Sequence, residues 1–153
     1  MNENVLNFFD HPDVPNGNDN ALNLNGSVFT DKVTLSLTAT ATLTQINAGL
    51  TLLAGVTGKT ITVLDFKAKV TGTFATATSV EIEDTNASPV AIASTAVAGL
   101  TDGAILNEVE SNTTMGAGYL GTLTASEGIA ITKTGSDATG GTSITVKIDY
   151  IIS

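Results

Sequence analysis

Val33-Thr34-Leu35-Ser36-Leu37-Thr38-Ala39-Thr40-Ala41-Thr42-Leu43-Thr44 alternates apolar and hydroxyl-bearing side chains without a break. Period two sends successive side chains to opposite faces, so the apolar set forms one face and the Thr/Ser set the other. That is the pattern of a half-buried strand. The run exceeds the usual strand length, so it is expected to bend, or to end before Thr44-Gln45-Ile46-Asn47. A second long strand is predicted over Ile61 to Val70. Its apolar parity changes between Ile61/Val63 and Phe66/Ala68/Val70, which predicts a β-bulge near Leu64-Asp65.

Further strands follow the same logic. Val80 and Ile82 alternate with Glu81 and Glu83. Asp84 to Pro89 then turns the chain toward Val90 and Ile92, predicting a hairpin with a connection longer than two residues. Leu50 to Ala54 is a short apolar run between Gly49 and Gly55, and Leu100 to Gly118 shows no clear element. Tyr119 to Thr124 and Ile129 to Lys133 read as strands around Ala125-Ser126-Glu127-Gly128, and Thr134 to Thr142 reads as a polar loop. Ile144 to Ile152 is apolar enough to be a central strand. With no helical stripe and no fixed repeat, the expected fold is all-β, an antiparallel β-sandwich or jelly roll.

Composition agrees with that class. Of 153 residues, 42% are hydrophobic and 14% charged, which argues against disorder across the whole chain. Thr supplies roughly one residue in six, and strong helix formers are scarce. The net charge is -9, with six lysines and no arginine, so the clustered cations that phosphate backbones require are missing. Nucleic acid is not an expected partner. Without cysteine there can be no disulfide and no thiolate metal site. Met1-Asn2-Glu3-Asn4 lacks the basic start and apolar run of a signal peptide, and no stretch is apolar enough to span a bilayer. Synthesis and folding in the cytoplasm are expected, with no membrane partner.

Residues 1–30 stand apart from the β-sandwich domain expected over 31–153. Asn2, Asn4, Asn7, Asn16, Asn18, Asn20, Asn23 and Asn25 crowd this segment with Pro12, Pro15, Gly17 and Gly26, residues that favour turns over regular ladders. An extended or turn-rich N-terminal arm is expected. Its small apolar cluster, Val5, Leu6, Phe8 and Phe9, is the candidate partner-binding site.

Groups suited to chemistry are few. A nucleophilic triad needs a base, and the single histidine, His11, lies in the arm beside Pro12 with nothing to orient it. Glu81 and Glu83 share one strand face and read as solvated charges rather than a glycosidase pair. Asp10, Asp13 and Asp19, or Glu83 and Asp84 near Asn86, could offer oxygen ligands to Ca²⁺, but neither set has the spacing of a calcium loop. Gly58-Lys59-Thr60 matches the end of a phosphate-binding loop. The earlier glycine it needs would stand at position 53, which is Leu, and a strand rather than a helix follows. No catalytic, cofactor-binding or metal residues are therefore expected, and no enzymatic activity.

Three stretches carry a resemblance. Leu52-Leu53-Ala54-Gly55-Val56-Thr57-Gly58-Lys59-Thr60-Ile61-Thr62-Val63-Leu64-Asp65 is an apolar run, a glycine, a lysine and then a strand. Leu123-Thr124-Ala125-Ser126-Glu127-Gly128-Ile129-Ala130-Ile131 is a turn before a late strand. Gly140-Gly141-Thr142-Ser143-Ile144-Thr145-Val146-Lys147-Ile148-Asp149-Tyr150 closes the pattern. Across roughly residues 45 to 152 this layout resembles the small β-sandwich virion structural proteins of tailed bacteriophages. The resemblance implies a head decoration or cement protein, typically a homotrimer, that binds the major capsid protein or another virion protein. It places the chain in the virion after assembly in the host cytoplasm. The alternative is a tail or head fibre, or an adhesin-like carbohydrate-binding sandwich. For that role only Tyr119, Tyr150 and the phenylalanines could form a sugar platform. The arm lies outside the resemblance.

Overall fold

The structure, a computed structural model, describes residues 21–24, 27–30, 33–109 and 112–153. Internal contacts separate two units, Met1–Val33 and Thr34–Ser153. In the first, β1 (Ala21–Leu24) and β2 (Ser27–Thr30) pair antiparallel with Leu24 opposite Ser27. Asn25-Gly26 stands between them in sequence, the dipeptide that two-residue hairpins favour. The ribbon thus falls inside the segment expected to be an extended or turn-rich arm, where that signal could have revealed it.

The second unit contains β3 (Leu35–Thr42), α1 (Leu43–Ala48), β4 (Leu50–Leu53), β5 (Ile61–Thr71), β6 (Ala75–Asp84), β7 (Ala91–Ala96), β8 (Ile105–Leu106), β9 (Thr113–Met115), β10 (Ile129–Thr139) and β11 (Ser143–Ile152). One sheet runs β3-β11-β5-β8 and the other β4-β10-β6-β7-β9. All the pairings are antiparallel. Apart from the short β9, the partners nest: β3 with β11, β4 with β10, β5 with β8 and β6 with β7. A long hairpin folded back on itself in this way is a jelly roll, one of the two architectures expected.

The two sheets pack face to face over a core of β-branched and aliphatic side chains. Alternation decides which residues enter it. In β11, Ile144, Val146, Ile148 and Tyr150 point inward, while Thr145, Lys147 and Asp149 point outward. β11 lies between β3 and β5, the central position its apolar content predicts. The bulge in β5 falls where the parity change places it. Asp149 pairs with Asp65 and Tyr150 with Val63, leaving Leu64 as the extra residue. The β6–β7 hairpin also forms, with the expected long connection.

Three readings are corrected. The opening strand ends at Thr42, before Thr44-Gln45-Ile46-Asn47 as expected, but a helix, α1, follows where no helical element was expected. Thr42 Oγ1 accepts from the Gln45 backbone N–H, and Gln45 Oε1 accepts from the Thr42 N–H. Thr-x-x-Gln is thus a capping box, and these reciprocal bonds satisfy donors that a first helical turn leaves free. Residues 134–139 are the end of β10 rather than a loop. Gly135, at φ +73°, sits between two register shifts, so its left-handed backbone lets a polar stretch rejoin β6 at Thr139↔Ala75. Tyr119 to Thr124 is not a strand. It forms no ladder with β5, pairing through two isolated bridges, Val63 to Tyr119 and Thr62 to Thr122, because turns at 117–118 and 120 interrupt it.

At one end of the body three loops interlock. The Ser126 N–H donates to the Lys59 carbonyl at 2.8 Å, and the Gly58 N–H donates to Ser126 Oγ at 2.9 Å. The Gly128 N–H donates to Thr85 Oγ1 at 2.9 Å. Gly55 and Gly128 are the closest points. A Cβ on Gly55 would lie 2.1 Å from the Ser126 carbonyl oxygen, and one on Gly128 would lie 2.0 Å from that of Leu53. Backbone-to-backbone approach this tight admits no side chain.

Candidate functional site

The apolar arm cluster Val5, Leu6, Phe8 and Phe9 lies outside the described residues, as do His11 and the Asp10/Asp13/Asp19 group. Other candidate groups are placed by the jelly roll.

Asp84 ends β6 and is 1% exposed. Its Oδ1 accepts from the N–H groups of Val90 (2.9 Å) and Asn86 (3.3 Å), and its Oδ2 from that of Thr124 (3.3 Å). The Asn86 amide donates to Thr124 Oγ1, and its carbonyl accepts from the Ser88 N–H. Both side chains are therefore spent on loop closure, and only Glu83 of the proposed oxygen set faces outward uncommitted. Among the described residues no group of three His, Cys, Asp or Glu is placed to hold a metal ion.

Glu81 and Glu83 do share the outer face of β6. Glu81 Oε1 accepts from the hydroxyls of Ser79 and Ser94, both at 3.1 Å. Glu83 borders a shallow open hollow of about 260 Å³, lined also by Thr51, Thr85, Pro89 and Thr132. Partial burial, then the nearby charges of Glu81 and Asp84, push its carboxyl above the usual range. The folded state thus holds a proton on Glu83 at pH values where the unfolded chain has lost it. Its contribution to stability falls as pH rises through that window and is constant above it. Glu83→Gln is expected to raise the melting temperature slightly at pH 7 and to leave it unchanged at pH 3, where both states are protonated. Calorimetry at the two pH values checks this; an equal shift at both would mean that charge is not the cause.

Aromatic side chains are mostly withdrawn from the surface. Phe66, Phe74 and Tyr150 are buried in the core. Tyr119 is half-buried, and its hydroxyl donates to Glu108 Oε2 at 2.6 Å. That bond, helped by desolvation, pushes the phenol up to about 12. Within residues 33–109 and 112–153, Tyr119 is the one Tyr or Phe that is not buried.

The outer face of the β3-β11-β5 sheet is broad and mostly uncharged along β3. Thr40, Thr145 and Lys69 form one row across it, Thr38, Lys147 and Lys67 the next, and Ser36, Asp149 and Asp65 the third. Thr40 Oγ1 lies 2.8 Å from Thr145 Oγ1. Lys147 reaches Asp149 at 3.2 Å and Lys67 reaches Asp65 at 3.4 Å, both exposed pairs. The Ser36 hydroxyl, then Lys147, hold the Asp149 carboxyl below its usual range. Half of the chain's six lysines lie on this one face. Sequence alternation assigned β3, β5 and β11 their outward sides, but not the rows in which those sides meet.

No helix among the described residues is long and apolar enough to cross a membrane. No protein-family model, no curated protein and no solved structure matches the chain.

Proposed function

We propose that this chain is a non-enzymatic structural protein of a tailed-bacteriophage virion, decorating or cementing the capsid from its outer surface as a homotrimer. The observation that carries the reading is the outer face of the β3-β11-β5 sheet, where an uncharged Thr and Ser margin on β3 borders three lysines and two aspartates on β11 and β5. The short Thr and Ser side chains of β3 have little rotamer freedom to lose on contact, so this margin of the face can be covered at small entropic cost. Many weak contacts repeated in a symmetric array then sum to tight attachment without a deep pocket. The loops at one end are spent on one another, and the shallow hollow beside Glu83 has no aromatic lining, which, within residues 33–109 and 112–153, leaves the carbohydrate-binding alternative resting on Tyr119.

The test is attachment to particles. Purified chain added to expanded capsids lacking it is expected to co-sediment and to appear as regular surface density by electron microscopy. Removal of residues 1–30, or Phe8→Ser with Phe9→Ser, is expected to weaken attachment while leaving the body folded by circular dichroism. Absence of surface density, together with selective hits on a glycan array, would replace this reading with the fibre or adhesin one.

A further inference from the structure

β3 is a sheet edge of an unusual kind. The other edge strands are short: β4 has four residues, β8 two and β9 three. β3 has eight, Leu35-Ser36-Leu37-Thr38-Ala39-Thr40-Ala41-Thr42, with no charge, no proline and no register shift against β11. Natural sheets protect long edges with lysine, proline, bulges or a covering segment. None of the first three is present in β3, and no strand pairs with its outer side among the described residues.

The hydrogen-bonding parity of this edge follows from its end. The Leu43 N–H donates to the Thr142 carbonyl, continuing the β3–β11 register of Thr42 with Ser143. In an antiparallel ladder such residues alternate, so the odd-numbered residues of β3 bond to β11. The N–H and C=O groups of Ser36, Thr38 and Thr40 then point away from the sheet. Their side chains are exposed and uncharged.

We infer that β3 pairs antiparallel with β3 of a second copy of this chain about a two-fold axis at Thr38, joining two four-stranded sheets into one. In that register Ser36, Thr38 and Thr40 exchange backbone bonds with Thr40, Thr38 and Ser36 of the other copy. On the inner side Leu35 meets Ala41 and Leu37 meets Ala39, which covers Leu35, 37% exposed in the single chain. No like charges meet, because β3 carries none and Lys147 and Asp149 lie one strand further in. The occupant is a second copy because the edge is self-complementary: polar residues face polar ones, and apolar face apolar, under the two-fold. The contact is independent of the capsid reading. If trimers form as well, it links one trimer to the next.

The test uses the full chain. Thr38→Glu sets a carboxylate opposite Lys147 within its own sheet, a favourable neighbour, and two carboxylates opposite each other across the axis. Light scattering and sedimentation over a wide concentration range should give an even number of chains for the native protein and half that mass for Thr38→Glu. Thr38→Lys should behave likewise, and an equal mixture of the two variants should recover the native mass. Amide exchange supplies a second readout. The amides of Ser36, Thr38 and Thr40 should be protected in the native protein and exchange at least about tenfold faster in Thr38→Glu, while those of Leu37 and Ala39 stay protected in both. A monomeric or odd-numbered native protein overturns the inference. So does an unchanged mass in folded Thr38→Glu, or protection of Ser36, Thr38 and Thr40 that survives the substitution.

Discussion

Ile148→Ala is expected to destabilise the jelly-roll body by about 3–4 kcal/mol, the range for emptying a large aliphatic site that cannot collapse. Ile148 is 0% exposed and sits midway along β11, paired with Leu37 on one side and Phe66 on the other. Both neighbouring strands are held by the same central strand, so neither can move into the cavity without breaking its own ladder. Urea denaturation monitored by circular dichroism should show a lower midpoint with an unchanged slope. A loss below about 1.5 kcal/mol would mean that the two sheets slide together to refill the space. Ile148→Val, which removes one methylene, should cost only about 1 kcal/mol.

Asp84→Ala should have an effect of similar size by a different route. The carboxylate satisfies the backbone N–H groups of Val90, Asn86 and Thr124 from a nearly inaccessible position. Its removal leaves those donors unpartnered where water has little access, and about 3–4 kcal/mol is the expected loss. The β6–β7 connection should loosen first, together with the 124–128 turn bound to it. Asp84→Asn keeps an oxygen for Val90 and Asn86 but turns an NH₂ toward the Thr124 N–H, so its loss should be smaller, about 1–2 kcal/mol. Faster amide exchange at Val90 and Thr124 in the Ala variant would identify the mechanism. If Ala and Asn lose the same amount, the carboxylate charge rather than its hydrogen bonds is what matters.

These two residues also mark what was legible without the fold. Ile148 shares the parity of Ile144 and Val146 against Thr145, Lys147 and Asp149, so alternation alone places it inward, because strand parity is a local property. Asp84 read as an ordinary turn residue or a possible calcium ligand. Its burial depends on Thr124, 40 residues away in sequence, and no local pattern announces such a partner. The capping box at Thr42 and Gln45 was present as Thr-x-x-Gln, but the longer alternation around it dominated the reading. The strand past Gly135 was hidden by its composition, because a bulge lets Gly, Ser and Asp lie in a ladder that intrinsic preference assigns to a loop.

The sequence by itself determined that the body is built of strands, which side of β3, β5 and β11 faces inward, and where β5 carries its bulge. These follow from period-two geometry, which each strand expresses over a few neighbouring residues. Only the tertiary structure decided the nested order that makes the sandwich a jelly roll, the withdrawal of Tyr150 into the core, and the exposure of uncharged β3 as an edge. Strand order depends on which distant segments close on one another, and alternation is the same whether a strand ends up in the middle of a sheet or at its margin.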